Sequence, residues 1–144
     1  MKKLHVIFKL AEAEYAISGE EVFQMNSYEG AVPVPGASAY MLGLMHVRQQ
    51  IVPVMDLRLR FGMLQQAPTL DSRVIVLKMQ ERLVGLLVDS AREVQALDET
   101  QLQNAPELTR RQSDGFIKSV VQLNQRTIMV LDPKKVVGEE NLNG

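Results

Sequence analysis

The segment GLMHVRQQIVPVMDLRLRFG, Gly43 to Gly62, sets His46, Arg48, Asp56, Arg58 and Arg60 among aliphatic residues. These are the side-chain types of an ionisable site: a histidine and a carboxylate near guanidinium groups can exchange protons or hold an anion. Each such chemistry needs more residues than this segment holds. His5 and His46 are the two histidines of the chain, and no further ligands stand at a spacing that would complete a zinc site with them. No Gly-x-Ser-x-Gly elbow occurs, and Ser18, Ser27, Ser38 and Ser90 fall where turns or caps are expected. GEEVFQ, GASAYMLG and GLLVD lack the close glycine spacing and the following lysine of a phosphate cradle. Asp56, Asp89 and Asp132 end the runs VMD, LVD and VLD, a place where aspartate commonly starts a turn. The expectation is therefore no catalytic centre, no metal and no cofactor.

Arg48 differs in kind. An arginine between two strand runs is ordinarily a solvated turn residue. The alternative is a guanidinium at the rim of a groove, making bidentate or carbonyl contacts to a protein partner, a role that lysine fills poorly. Met41, Met45, Met55, Met63 and Met79 lie in or near apolar runs. Core filling accounts for most of them, and one or two at a groove would give an adaptable surface.

The 144 residues are 46% hydrophobic but only 5% aromatic, with neither tryptophan nor cysteine, so the core must be aliphatic and unstapled. A chain of this length can form one domain with a real core. The absence of cysteine fits a reducing compartment, and cytoplasm is the expected location. A net charge of −1 gives no field to draw in nucleic acid. His5, Lys9, Glu12 and Glu14 interrupt the N-terminal apolar run before a signal-peptide core forms, and no run approaches the ~20 apolar residues that span a bilayer. Direct membrane insertion is not expected.

Period-two alternation over Lys3 to Leu10 predicts a strand, with Leu4, Val6, Phe8 and Leu10 on one face, and YAIS reads as its hairpin partner. GEEVFQM suits a turn or a short helix. AVPVPGASAY, with Pro33, Pro35 and Gly36, predicts a loop or edge strand. GLMHVRQQIVPVMDL predicts a hairpin whose second strand lies at an edge or bends at Pro53. RVIVLKM and RLVGLLVD, joined by QE, form the clearest hairpin. SAREVQALDETQLQNAPEL reads as loop with one strand at Glu93 to Leu97. FIKSVVQLNQRTIMVLD predicts a last hairpin, and PKKVV a helix start. The sum is eight to ten short strands and no long amphipathic helix, a mainly β chain in two barrel-like halves. The boundary is expected near residues 62–72, within FGMLQQAPTLDS, and the halves are expected to share a hydrophobic seam with a groove at its surface.

YAI, VFQM, VPVP, GLMHVRQQIVPVMDLRLRFG, RVIVLKMQERLVGLLVDSAREVQAL, APEL and FIKSVVQLNQRTIMVLDPKKVV occur in this order from about Val6 to Val137. In order and spacing they resemble the CheW-like domain. That resemblance implies two five-stranded, SH3-like β-barrels around a common hydrophobic core. It also implies a non-enzymatic adaptor that joins the cytoplasmic tip of a methyl-accepting chemoreceptor to the regulatory domain of a CheA-type histidine kinase. By the same resemblance, Val22, Gln24, Gly43, His46, Arg48 and Val94 fall on the receptor-binding groove, while Asp56 and Arg58 are as well explained by a mutual ion pair.

The chain also departs from the family's pattern. His46 replaces an asparagine, Gln49 a glycine, Gln24 a glutamate and Ser119 a glycine. Glutamine resists positive φ, so Gln49 predicts a changed turn type. His46 in a groove would add pH sensitivity, although a plain hydrogen-bonding substitute for asparagine is the better explanation. These departures leave open an adaptor of another kinase pathway, in surface motility, biofilm or second-messenger signalling. A groove that binds a small molecule is the remaining alternative.

Overall fold

The computed structural model describes residues 1–138 and Asn141. Among them the chain forms β1 (Lys2–Leu10), β2 (Ala13–Ser18), β3 (Val22–Ser27), β4 (Met41–Val47) and β5 (Gln50–Asp56), then helix α1 (Leu57–Arg60). There follow β6 (Arg73–Met79), β7 (Arg82–Val88), β8 (Ser90–Asp98), β9 (Leu102–Asn104), α2 (Glu107–Gln112), β10 (Ile117–Leu123), β11 (Arg126–Leu131) and α3 (Pro133–Val137). None of these helices is long and apolar enough to cross a membrane.

The strands make two sheets, ordered β8-β1-β2-β11-β10-β9 and β3-β6-β7-β5-β4, each belonging to one compact unit. Met1–Glu21 with the chain from Ala91 onward forms the first unit, and Val22–Ser90 the second. The boundary expected near 62–72 is thus displaced. Phe61 to Ser72 is a loop inside the second unit, and the chain passes between units at Glu21/Val22 and Ser90/Ala91. The cause is a long-range pairing: β2 runs parallel to β11, Tyr15 against Met129 and Ala16 against Val130. A glycine- and proline-rich stretch marks a loop, whereas pairing between distant strands leaves no local signal.

Both units repeat one plan, two antiparallel hairpins joined by a parallel pair. In the first unit hairpins β1–β2 and β10–β11 meet through β2 and β11. In the second, β4–β5 and β6–β7 meet through β5 and β7, Val54 against Gly85. Each unit has its own aliphatic core: Ile7, Ala16, Leu97, Val121, Ile128 and Val130 in the first, Val47, Val52, Val54, Val74, Val76 and Leu87 in the second. Branched residues fit the half-buried surface of a pleated sheet.

Several local expectations change. His5 through Phe8 are all buried while Leu4 is exposed, because the middle of β1 is covered on both faces. There the alternation seen in sequence does not divide dry from wet. Pro53 lies in an interior strand, not at an edge. Leu44 gives its own N–H and C=O to Val32, at 2.9 and 2.8 Å, so the Leu44–Pro53 pair is a non-hydrogen-bonded one. The missing donor therefore faces β7, one residue before that ladder begins at Val54. β8 covers all of Ser90–Asp98, and β9 and α2 lie in the stretch expected to be loop, their apolar residues too sparse to stand out.

Three hairpins close on two-residue turns with both residues at positive φ: Arg48 and Gln49 at 49° and 67°, Gln80 and Glu81 at 52° and 65°, Asn124 and Gln125 at 51° and 68°. This is the type I′ geometry, whose twist matches that of the flanking strands. Gln49 therefore keeps the turn type that the missing glycine suggested it would lose, and the pairing of β4 with β5 carries the strain. Left-handed backbone costs an ordinary residue about 1–2 kcal/mol, so Gln80-Glu81→Asn-Gly is expected to raise unfolding stability by about 1 kcal/mol. An unchanged midpoint in urea would show that this turn is not under strain.

Candidate functional site

The segment that first suggested chemistry resolves into a structural knot. Asp56 caps α1, its Oδ1 accepting the backbone N–H of Arg58 at 2.9 Å and of Leu59 at 3.4 Å. Its other oxygen accepts from Gln65 at 3.4 Å. The buried Arg58 side chain turns to Asp89, Nε donating to Oδ1 at 2.8 Å and Nη2 to Oδ2 at 2.5 Å. Hydrogen bonding to Asp89 holds its pKa above the ordinary arginine value against the opposing effect of burial. The ion pair is thus Arg58–Asp89, and not the Asp56–Arg58 pair expected from adjacency. Asp132 repeats the capping role of Asp56 at the start of α3, while Asp89 has the different task of fastening α1 to the end of β7. Arg58 and Asp89 are committed to each other, and Asp56 and Asp132 to the backbone of the next turn.

Around Arg48 the geometry is of another kind. Its guanidinium carbon lies 5.5 Å from the centre of the Phe23 ring, while the rest of the side chain is exposed. Phe23 is the extra residue of a β-bulge: Val22 pairs with Leu77 and Gln24 with the next residue, Val76. β4 carries a second bulge between Met41 and Gly43. Gly43 has φ +144°, and a Cβ there would stand 2.1 Å from the Val32 carbonyl oxygen. Only glycine fits, because the Val32 strand segment bonds to β4 at that point.

The other candidate residues spread over both units. Val22, at the start of β3, is half-buried. Gln24 donates to Asn26 at 2.6 Å, and its Oε1 is buried without a hydrogen-bond partner among the described residues. His46 opens onto a shallow hollow with Val32, Leu44, Met45 and Ile51, of which Val32 is 70% and Ile51 57% exposed. None of the other five candidates lines that hollow. Val94 lies on β8 in the first unit and is 53% exposed. His5 is buried, its Nδ1 3.1 Å from the Lys3 carbonyl oxygen. Met55 and Met79 fill core, and Met45 is the methionine that reaches the hollow.

Beside Val94, Glu93 enters a clasp that the sequence did not advertise. Arg126 donates to Glu14 and to both oxygens of Glu93, at 2.7 and 3.2 Å, and Gln95 adds a bond at 2.8 Å. Residues so far apart in the chain give no local clue to such a cluster.

A model of the CheW-like domain matches residues 4–141. The chain belongs to the CheW-like domain family. The chemotaxis protein CheW of Bacillus subtilis is 29% identical over 136 residues, covering 94% of this chain and 87% of its own length. That of Klebsiella aerogenes is 29% identical over 139 residues, covering 95% and 82%. Among solved structures, a CheW described as a scaffolding protein, from Thermoanaerobacter tengcongensis, superposes with a TM-score of 0.85 at 27% identity, covering 92% of this chain and 90% of its own. The mainly β architecture of two SH3-like subdomains is that of the CheW-like family, with one sheet of six strands and one of five and the terminal strands of each left as edges. Of the departures from the family's pattern, Gln49 holds the turn described above, and Ser119 falls at an irregularity in the pairing of β10 with β11.

Two measurements test this assignment of charges. Asp89→Ala would strand the buried Arg58 guanidinium, and loss of one partner of a buried pair costs about 3 kcal/mol. Chemical denaturation showing less than a third of that would make the pair dispensable. In the clasp, Arg126 and then Gln95 hold the Glu93 carboxyl below the ordinary carboxylate range. A depressed folded pKa adds stability that is complete above the unfolded value and is lost as pH falls through the folded one. Between about pH 5 and pH 3 the wild type should therefore lose more stability than Glu93→Gln. Parallel curves would remove Glu93 from the acid response.

Proposed function

We propose that this chain is a non-enzymatic adaptor of a bacterial chemosensory array, acting in the cytoplasm and coupling a chemoreceptor tip to the regulatory domain of a CheA-type histidine kinase. The observation that carries this reading is the family match across residues 4–141, whose relatives in Bacillus subtilis and Klebsiella aerogenes are named chemotaxis proteins. The physical character of the chain supports it. The conspicuous ionisable groups are tied into Arg58–Asp89 and Arg126–Glu14–Glu93, while Val32, Leu44 and Ile51 stay exposed on the second unit, as does Arg48.

In this reading Val22, Gln24, Gly43, His46 and Arg48 form the receptor contact on the second unit, and Val94 is a separate candidate on the first. A receptor tip presents helices, which dock through apolar contacts framed by polar ones. Sheet edges such as β3, β4 and β9 suit pairing with the related barrels of the kinase domain. His46, Gln49 and Gln24 favour a second reading in which the same adaptor serves a different kinase. A kinase gene unlike the chemotaxis kinase beside this one would decide for it.

The test is co-sedimentation with membranes carrying a chemoreceptor and with CheA. Binding to both is expected, and a folded protein that bound neither would end the proposal. Arg48→Ala should weaken receptor binding by about tenfold or more with an unchanged melting temperature. Val22→Asp should abolish it by placing a charge in a desolvated contact. Wild-type affinity in both variants would put the receptor contact elsewhere.

A further inference from the structure

We propose that Phe23 is the positioning residue for Arg48, holding the guanidinium plane so that its free N–H edge meets an oxygen acceptor, a carboxylate or a helix-end carbonyl, on the partner. The inference rests on the receptor reading above and adds to it a residue and a chemistry.

Three observations on separate elements converge on this pair. The first is the bulge. A regular β3 would alternate its side chains, but the extra residue at Phe23 breaks the alternation, and bulges re-aim side chains in this way. The second is the turn. Arg48 stands at φ 49°, a conformation that an arginine occupies at a cost and that fixes where its side chain leaves the backbone. The third is the contact itself. β3 and β4 are opposite edges of the five-stranded sheet, yet the guanidinium at the end of β4 lies over the ring on β3, 5.5 Å from its centre.

A cation–π contact engages the guanidinium through the ring and leaves its N–H donors unused. Among the described residues the Arg48 side chain makes no hydrogen bond and no ion pair, in contrast to Arg58 and Arg126, whose donors are filled by carboxylates. An arginine held over a ring with its donors open is already placed. It loses less side-chain freedom on meeting a planar oxygen acceptor than a freely rotating arginine would. Phe23 therefore acts on the partner through Arg48, while its own ring packs on the core of the second unit.

The experiment is a double-mutant cycle read by binding, fold stability and a direct probe of orientation. The binding probe is the purified cytoplasmic fragment of a chemoreceptor from the same genome. Phe23→Leu keeps an apolar side chain and removes the aromatic face, Phe23→Tyr keeps the face, and Arg48→Lys keeps the charge without the plane. Phe23→Leu should weaken binding about three- to fivefold, the scale of an exposed cation–π contact. Phe23→Tyr should bind as wild type does, and Phe23→Leu should cost nothing further when Arg48 is already lysine. The Arg48 Nε–H proton should show a ring-current shift in wild type and Phe23→Tyr that vanishes in Phe23→Leu.

Wild-type binding by Phe23→Leu together with impaired Arg48→Ala would overturn the positioning role and leave the receptor reading intact. Additive losses in the cycle, or a Phe23→Leu defect explained by a lower melting temperature and not rescued by tyrosine, would overturn it equally. Wild-type binding by Arg48→Ala would overturn the positioning role together with the place of Arg48 in the receptor contact, and the adaptor reading would still stand or fall by co-sedimentation.

Discussion

Each half of this molecule depends on one parallel seam. Hairpins β4–β5 and β6–β7 are local structures that their own turns can close, but a two-stranded hairpin is marginal in water. The pairing of Val54 with Gly85 in the second unit, and of Ala16 with Val130 in the first, turns pairs of hairpins into sheets with a core. Core residues of each unit lie on these seams, Val54 and Leu87 in one and Ala16, Ile128 and Val130 in the other. The helical caps follow from the same geometry. β5 and β11, a parallel member of each seam, both end in an aspartate that bonds the backbone of the next turn.

Charge is distributed in the same spirit. Arg58 and Arg126 are fasteners, one binding a helix to a strand end and the other joining β11 to Glu14 and Glu93. The surface keeps exposed aliphatic side chains such as Val32 and Ile51 and an arginine, Arg48, over an aromatic ring. A surface of that composition suits reversible association among many copies, in which weak contacts act together.

Much of the fold could be read from the residues because its hairpins are local. RVIVLKM and RLVGLLVD, joined by two polar residues, became the antiparallel hairpin of β6 and β7. The strand content of Ser90–Asp98 was underestimated, since its residues alternate between polar and half-buried without a strong apolar run. The division of the chain was misplaced because loop composition reports flexibility and not which distant strands pair. At the candidate site Arg48 stood out by type and Gly43 came in only through the family resemblance, and Gly43 proved to need the absence of a side chain. Phe23 did not stand out. A bulge is one residue of mismatch between strands, and nothing in VFQM announces it. Asp89 looked like one more turn aspartate because its arginine is 31 positions away.

The unequal threading of the two units has a consequence for how the protein is made. Val22–Ser90 is contiguous, so every strand of that sheet is translated before β9, β10 and β11 exist. The other sheet begins with β1 and β2 and cannot be completed until β11 arrives at the far end of the sequence. Its first hairpin must wait through most of synthesis with an apolar edge unpaired, a condition in which nascent chains are exposed to wrong partners. Chaperone occupancy on the nascent chain should therefore concentrate on β1 and β2 and fall only with the emergence of β10 and β11.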